Sequence, residues 1–199
     1  MNNILPNIVV SQSTINYPTV LTLVILVALV LYVIFSYNSF IRLVNRTKEA
    51  FADIDVQLKR RYDLIPNLVN TVKGSANFET STLEKVVQAR SLAMSPSANL
   101  KEKGEHENML TGALKSIFAL SENYPDLKSN QNFLLLQSEL SDTENKIQAA
   151  RRFYNGNVRD LNIAIESFPG NLIAKMFSFT QMELFEIEDS QKEPVQVSF

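Results

Sequence analysis

Two hydrophobic patterns divide the chain. From Thr19 to Tyr37 (TVLTLVILVALVLYVIFSY) it is apolar on every side, with nothing more polar than a hydroxyl in 19 consecutive residues. Beyond that run, Phe51, Ile54, Leu58, Tyr62, Ile65, Leu68 and Val72 recur every three or four positions, the stripe of an amphipathic helix. No turn signal separates the patterns, so they read as one rod that ends near Gly74. Pro66 lies inside it and removes the backbone bond to the carbonyl of Tyr62. The stripe keeps its phase across the proline, which predicts a kink rather than a break, with Asn67 or a water satisfying the freed carbonyl.

Further helices come after the rod. Ser81-Thr82-Leu83-Glu84 has the form of a capping box for a second, shorter helix that carries Leu83, Val87 and Met94. Residues 95–104 (SPSANLKEKG) read as a loop. A third helix runs from about Glu105 to Asn123 through Leu110, Leu114, Ile117 and Phe118, and Tyr124-Pro125 stops it. The fourth has the clearest pattern: Phe133, Leu136, Leu140, Thr143, Ile147, Ala150, Tyr154, Val158, Leu161 and Ile165, interrupted only by Gly156. It ends at Ser167-Phe168-Pro169-Gly170. Strand patterns are missing. The expected fold class is all-α: an N-terminal transmembrane helix continuing into an antiparallel, up-and-down helical bundle with two long and two short helices.

The uniform run spans about 28 Å as a helix, close to the roughly 30 Å hydrocarbon core of a bilayer. Tyr17 stands at one end, with Tyr32 and Tyr37 toward the other. A cleaved signal peptide would need a basic start, a shorter apolar core and a small-residue cleavage site; none is present. The first charged residue is Arg42, and all 19 basic and 21 acidic residues lie from there on. Arg42, Arg46 and Lys48 come directly after the span, which predicts an amino-terminus outside and a carboxyl-terminal domain in the cytoplasm. The length of helix 4 brings its end back to the bilayer. There Asn171–Phe179 (NLIAKMFSF) has two open readings, docking at the membrane interface or packing under the bundle.

Chemistry is sparse. Without cysteine there are no disulfides, thiolate nucleophiles, zinc–thiolate sites or lipoprotein-type acyl anchors. A net charge of −2 gives no field to attract nucleic acid. Arg60, Arg61 and Asp63 are expected to face Glu139, Glu144 and Asp160 of helix 4 as interhelical ion pairs or a solvated face. His106, with Glu105 and Glu107 beside it, reads as a surface histidine. Glu144-Asn145 and the run Arg151–Asn155 suggest buried polar contacts that fix the register between helices. No G-x-S-x-G, H-E-x-x-H or related motif occurs. The expectation is a protein that is not an enzyme, with no catalytic, cofactor-binding or metal-ligating residues and no cofactor.

Three segments resemble the LemA family of bacterial membrane proteins: VQLKRRYDLIPNLVNTVKG (56–74), YPDLKSNQNFLLLQSEL (124–140) and TENKIQAARRFYNGNVRDLNIAIESFP (143–169). An apolar, Phe-rich stretch before a charged tail and PVQVSF extends the likeness. The resemblance implies an amino-terminal membrane helix, a cytoplasmic antiparallel bundle and passage of helix 1 through the proline. It supplies no enzymatic reaction and no catalytic residue. One related branch is associated with magnetosome membranes, which implies membrane organisation.

The expected division is 1–18 as an uncharged extracytoplasmic segment and 19–37 as the transmembrane helix. Residues 38–169 form the cytoplasmic LemA-like bundle, and 170–199 an apolar, then acidic, tail. The leading functional expectation is a non-enzymatic, single-pass protein of the bacterial inner membrane. It would act as a self-associating scaffold or membrane organiser, with the lipid bilayer and other copies of itself as partners and no nucleic acid. Phe133–Leu136 (FLLL) covers most of a helix circumference, so that end needs neighbours on several sides. The alternative is an adaptor presenting the bundle to a protein partner, such as a membrane protease or a signalling protein. A ligand-binding sensor is a third reading.

Overall fold

The structure, a computed structural model, describes residues 16–74, 79–97 and 99–185. Among them are six helices and no strand: α1 (Tyr17–Lys73), α2 (Thr80–Met94), α3 (Leu100–Ser121), α4 (Pro125–Lys128), α5 (Gln131–Glu166) and α6 (Gly170–Met176).

α1 is one unbroken helix of 57 residues, about 86 Å at the usual rise. Its apolar run as far as Tyr37 has no buried residue, and none of its most apolar window is buried within the protein. It is long and apolar enough to cross a bilayer. The second half buries Ala50, Ile54, Leu58, Ile65, Leu68 and Val72 on one face. The helix continues through Pro66, as the unbroken phase of the stripe requires. The carbonyl of Tyr62 that loses its partner there accepts from Arg90 Nε of α2 at 2.9 Å. A guanidinium from the neighbouring helix, rather than the Asn67 side chain, satisfies it.

α5 runs antiparallel to α1, and three apolar layers stack along the pair. In the distal layer Ile65, Leu68, Val69 and Val72 of α1 meet Leu83, Val86 and Ala89 of α2, Leu110, Leu114 and Ile117 of α3, Leu127 of α4, and Phe133 and Leu140 of α5. The middle layer joins Ala50, Ile54 and Leu58 to Ile147, Tyr154, Val158 and Phe185. The lowest joins Phe40 to Leu161, Ile173 and Ala174. The α2–α3 hairpin therefore covers mainly the distal end, with Leu100 at the start of α3 reaching the middle layer.

Several local expectations change. The capping box does not form: α2 begins at Thr80, so Ser81 is already inside it, and the side chain of its N-cap Glu79 accepts from Thr82 Oγ1 at 3.5 Å rather than from a backbone amide. α3 starts at Leu100, five residues before the expected Glu105, because the Asn99 side chain accepts from Glu102 N at 2.8 Å. That cap draws Lys101–Gly104 into the helix. The stop at Tyr124-Pro125 contains a short helix of its own, α4. α5 is capped by Asn130, which accepts from the amides of Asn132 and Phe133.

At the foot of α5 the chain turns sharply into α6. A Cβ on Gly170 would lie 2.9 Å from the Ala164 carbonyl oxygen, so only glycine fits without displacement. α6 ends in a Schellman motif: Phe179 N donates to Ala174 O at 2.9 Å and Ser178 N to Lys175 O at 3.4 Å. Ser178 takes the left-handed position there, with φ of 58°. Residues 179–185 then climb back along α5 as an extended strap.

Candidate functional site

Where the distal and middle layers meet, the bundle encloses charge. Arg61 of α1 has no solvent exposure, although it occupies a stripe position between Leu58 and Ile65. Its guanidinium donates to Glu107 of α3, to Glu144 of α5 and, at 2.8 Å, to Thr111 Oγ1. Glu107 is equally buried and its second oxygen accepts from the Tyr62 hydroxyl. Burial, then the hydrogen bond to Glu107 and its charge, push the Tyr62 hydroxyl well above its ordinary pKa, against the opposing pull of Arg61. Three helices are thus locked together by one guanidinium. Both oxygens of Glu107 are engaged, one by Arg61 and one by Tyr62.

Arg151 of α5 is the second buried cation. Its Nη1 lies 3.5 Å from Asn108 Oδ1, and its Nε and Nη2 have no hydrogen-bond partner among the described residues. The guanidinium lies over the Phe185 ring, 4.5 Å from the centroid, a cation–π contact that substitutes for part of the lost hydration. Burial, then the repulsion of Arg61, lowers its pKa from the ordinary arginine value.

Phe185 is brought there by the strap. The Asn155 side chain donates to Phe185 O at 2.9 Å and accepts from Phe185 N at 2.8 Å. Asn162 makes the same pair of bonds to Met182, both at 3.0 Å. Tyr154 donates to Glu183 O at 2.9 Å. Two amides seven residues apart on α5 act as clamps that mimic a neighbouring strand. The polar run 151–155 therefore fixes the strap as well as making the expected contacts between helices. Contacts between helices are made by Glu144, which joins α1 and α3 to α5, by Arg151, which reaches Asn108 of α3, and by Tyr154, whose ring packs on Phe51 of α1.

Of the expected pairs across α1 and α5, Arg61–Glu144 forms. Arg60 instead reaches Asp142, at 3.9 Å and exposed. Asp160 stands next to Leu161 in the lowest layer, roughly 20 residues or about 30 Å below Arg60. Asp63 is exposed. His106 is half-buried rather than at the surface, with Nδ1 enclosed and unpaired among the described residues. Among the described residues no group of three His, Asp or Glu is placed to hold a metal ion.

A groove of about 980 Å³ opens beside the middle layer, lined by Lys48, Asp55, Lys59, Asp63, Lys103 and Glu183 among others. Its charges alternate in sign, and Lys103 is already paired with Asp55 at 2.5 Å. It offers no net attraction for an anion or a cation.

Glu107 and Arg151 are residues that periodicity alone exposes. Counting back from Leu114 by four reaches Leu110, and by three more reaches Glu107; counting on from Ile147 by four reaches Arg151. Both occupy core positions with a charged side chain. At the foot of the bundle Tyr37 packs on Phe177 and Phe179, with ring centroids 4.8 and 5.7 Å apart. Phe40 stacks on Phe179 at 4.9 Å. This aromatic collar joins α6 to α1 where the apolar run ends.

The family model that describes the LemA family matches residues 50–199, nearly all of the bundle together with its tail. Protein LemA of Metamycoplasma hominis is 26% identical over 161 residues, covering 81% of this chain and 74% of the relative. Magnetosome protein MamQ of Magnetospirillum gryphiswaldense is 22% identical over 195 residues, covering 85% and 72%. MamQ 2 of Paramagnetospirillum magneticum is 22% identical over 201 residues, covering 88% and 74%. None of these names specifies a reaction. A long apolar helix, the antiparallel bundle built on it and a match over most of the sequence lead to one conclusion: the chain belongs to the LemA family.

Proposed function

We propose that this protein is a non-enzymatic, single-pass membrane scaffold whose bundle associates with further copies of itself. The observation that carries the reading is the continuity of α1. The apolar segment and the principal helix of the bundle are one rod, so the bundle's position is transmitted rigidly to the bilayer. Two leucines support self-association. Within Phe133–Leu136, Phe133 is buried in the distal layer, but Leu134 and Leu135 stay 47% and 60% exposed at the distal tip. Similarity to proteins named as magnetosome proteins supports membrane organisation. The basic flank Arg42, Arg46 and Lys48 supports a cytoplasmic bundle and an outer amino-terminus in a bacterial inner membrane. The proposed division keeps 1–18 outside, 19–37 in the bilayer, 38–169 as bundle and 170–199 as tail.

The test is the mass of the particle extracted with its surrounding lipid, read by light scattering or mass photometry. The scaffold reading expects a discrete multiple of 22.5 kDa that Leu134→Ser with Leu135→Ser reduces. A strict monomer over a wide concentration range overturns it. Cross-linking that recovers a different protein through the same leucines transfers the surface to the adaptor reading. Because the chain has no cysteine, a single one at Ser11 or Ser198, labelled from outside, tests the orientation.

A further inference from the structure

We infer that α6 and the Phe168-Pro169 turn before it form a second membrane contact, lying in the plane of the interface beside the foot of α1. The inference rests on the reading that α1 spans a bilayer.

The level of α6 is set by the aromatic collar. Tyr37 is the last residue of the apolar run, and its ring touches those of Phe177 and Phe179. The carboxyl end of α6 therefore sits within a ring's width of the point where the span leaves the hydrocarbon. The first charge on α1, Arg42, lies five residues further, about 7.5 Å along the helix. That interval matches the boundary zone of about 5–10 Å in which interfacial helices bury their apolar faces.

The composition of α6 fits the same zone. One side of it, Ile173 and Ala174, is buried against Phe40 and Leu161. The other carries Leu172 and Met176, four residues apart and 58% and 67% exposed. Phe168, four residues before Leu172, is 80% exposed. Such a row of large apolar side chains has no covering element among the described residues. Between Glu166 and Glu183 the only charge is Lys175, whose long stem lets an ammonium reach headgroups or water from this depth. The partner is thus fixed by continuity: the bilayer already holding α1 is the surface at this level. A helix docked there beside the span gives the bundle two points of attachment and a defined tilt.

Absence of tryptophan from the chain makes the test direct, since one substitution creates a sole fluorophore. The full chain is placed in phosphatidylcholine–phosphatidylglycerol bilayers containing lipids brominated near the headgroup or deep in the chains. Leu172→Trp and Met176→Trp report α6, Val27→Trp the middle of the span, and Met109→Trp the exposed face of α3. The expected result is that Leu172→Trp and Met176→Trp emit to the blue of Met109→Trp and lose most of their intensity to shallow bromines, while Val27→Trp is quenched by deep ones. Quenching at Val27 but none at Leu172 and Met176 overturns the inference and leaves the span intact. A blue-shifted but unquenched Met176→Trp also overturns it, because another protein surface is then the cover. No quenching at Val27 overturns the span itself and this inference with it.

Discussion

The two ends of the bundle solve the same packing problem by different means. At the distal end α1 and α5 are covered by α2, α3 and α4, and the layer is closed by aliphatic and aromatic side chains from five helices. At the proximal end the two long helices have only the short α6 beside them, at the foot, which leaves the middle layer open on one side. There the carboxyl-terminal strap supplies the third wall. It inserts Phe185, presses Phe179 onto Phe40, and is held through its backbone by Asn155 and Asn162. The distal end is held mainly by apolar burial, which tolerates adjustment. The proximal end depends on a few directional bonds, each of which leaves strap backbone groups unpaired when removed. Arg61 and Arg151 mark the boundary between these regimes.

The largest expected effect is at that boundary. Glu107→Leu leaves Arg61 buried with one carboxylate fewer and the Tyr62 hydroxyl with only the Ala93 carbonyl to donate to, so unfolding stability should fall by about 3–5 kcal/mol. Adding Arg61→Met and Glu144→Leu should recover most of the loss, since an apolar set needs no partners. Denaturant unfolding of the lipid-embedded protein checks both. If Glu107→Leu alone is silent, the cluster does not join the two ends.

Phe185→Ala should cost about 3 kcal/mol at the proximal end and uncover the Arg151 guanidinium. Its signature is faster amide exchange at Met182 and Phe185 with the distal amides unchanged. Asn155→Ala or Asn162→Ala should weaken the strap by about 1–3 kcal/mol each. The first should act mainly on Phe185 exchange and the second on Met182. Uniform loosening of both ends by either variant would erase the distinction between them.

Alkali should act on both sides of the boundary. Tyr62 and Tyr154 have pKa values raised above the ordinary 10.0, chiefly by burial. In the unfolded chain they ionise near that value, so stability is fully present below pH 10 and declines as pH rises beyond it. Tyr62→Phe should flatten the part of this decline that belongs to the cluster. A pH titration of the unfolding midpoint reads it.

The smallest effects are gains. Ser178→Gly relieves a non-glycine residue in the left-handed region and should stabilise the α6 motif by about 1 kcal/mol. At Gly156 a Cβ would meet nothing within 4 Å, so Gly156→Ala should add up to about 1 kcal/mol. Gly170→Ala should do the reverse, because its Cβ meets the Ala164 carbonyl.

The same division separates features legible in the sequence from those that were not. The long rod, the passage through Pro66 and the limits of α5 were legible because each rests on a periodicity sustained over many turns. The start of α3 was not, since Leu100–Gly104 has a loop's composition and one asparagine side chain decides it. Half of the candidate cluster could be anticipated: Arg61 with Glu144. Glu107 has a signal, its place on the stripe of Leu110 and Leu114, but a charged residue there is readily taken as the end of the stripe. The strap had no signal at all. Its bonds run from asparagine side chains to an extended backbone 20 to 30 residues away, and no local pattern encodes such a pairing. The role of Arg90 at the proline is hidden for the same reason.

The claim on which the rest depends is that the bundle is a rigid continuation of the apolar segment. Spin labels at Val30 and Val56, both exposed on α1, lie 26 residues apart on opposite sides of Tyr37. In lipid nanodiscs a single narrow distance distribution near about 39 Å, the rise of a continuous helix, is the expected result. A broad distribution, or a clearly shorter distance, would mean that the chain bends where it leaves the bilayer and that the bundle is tethered rather than built on its anchor.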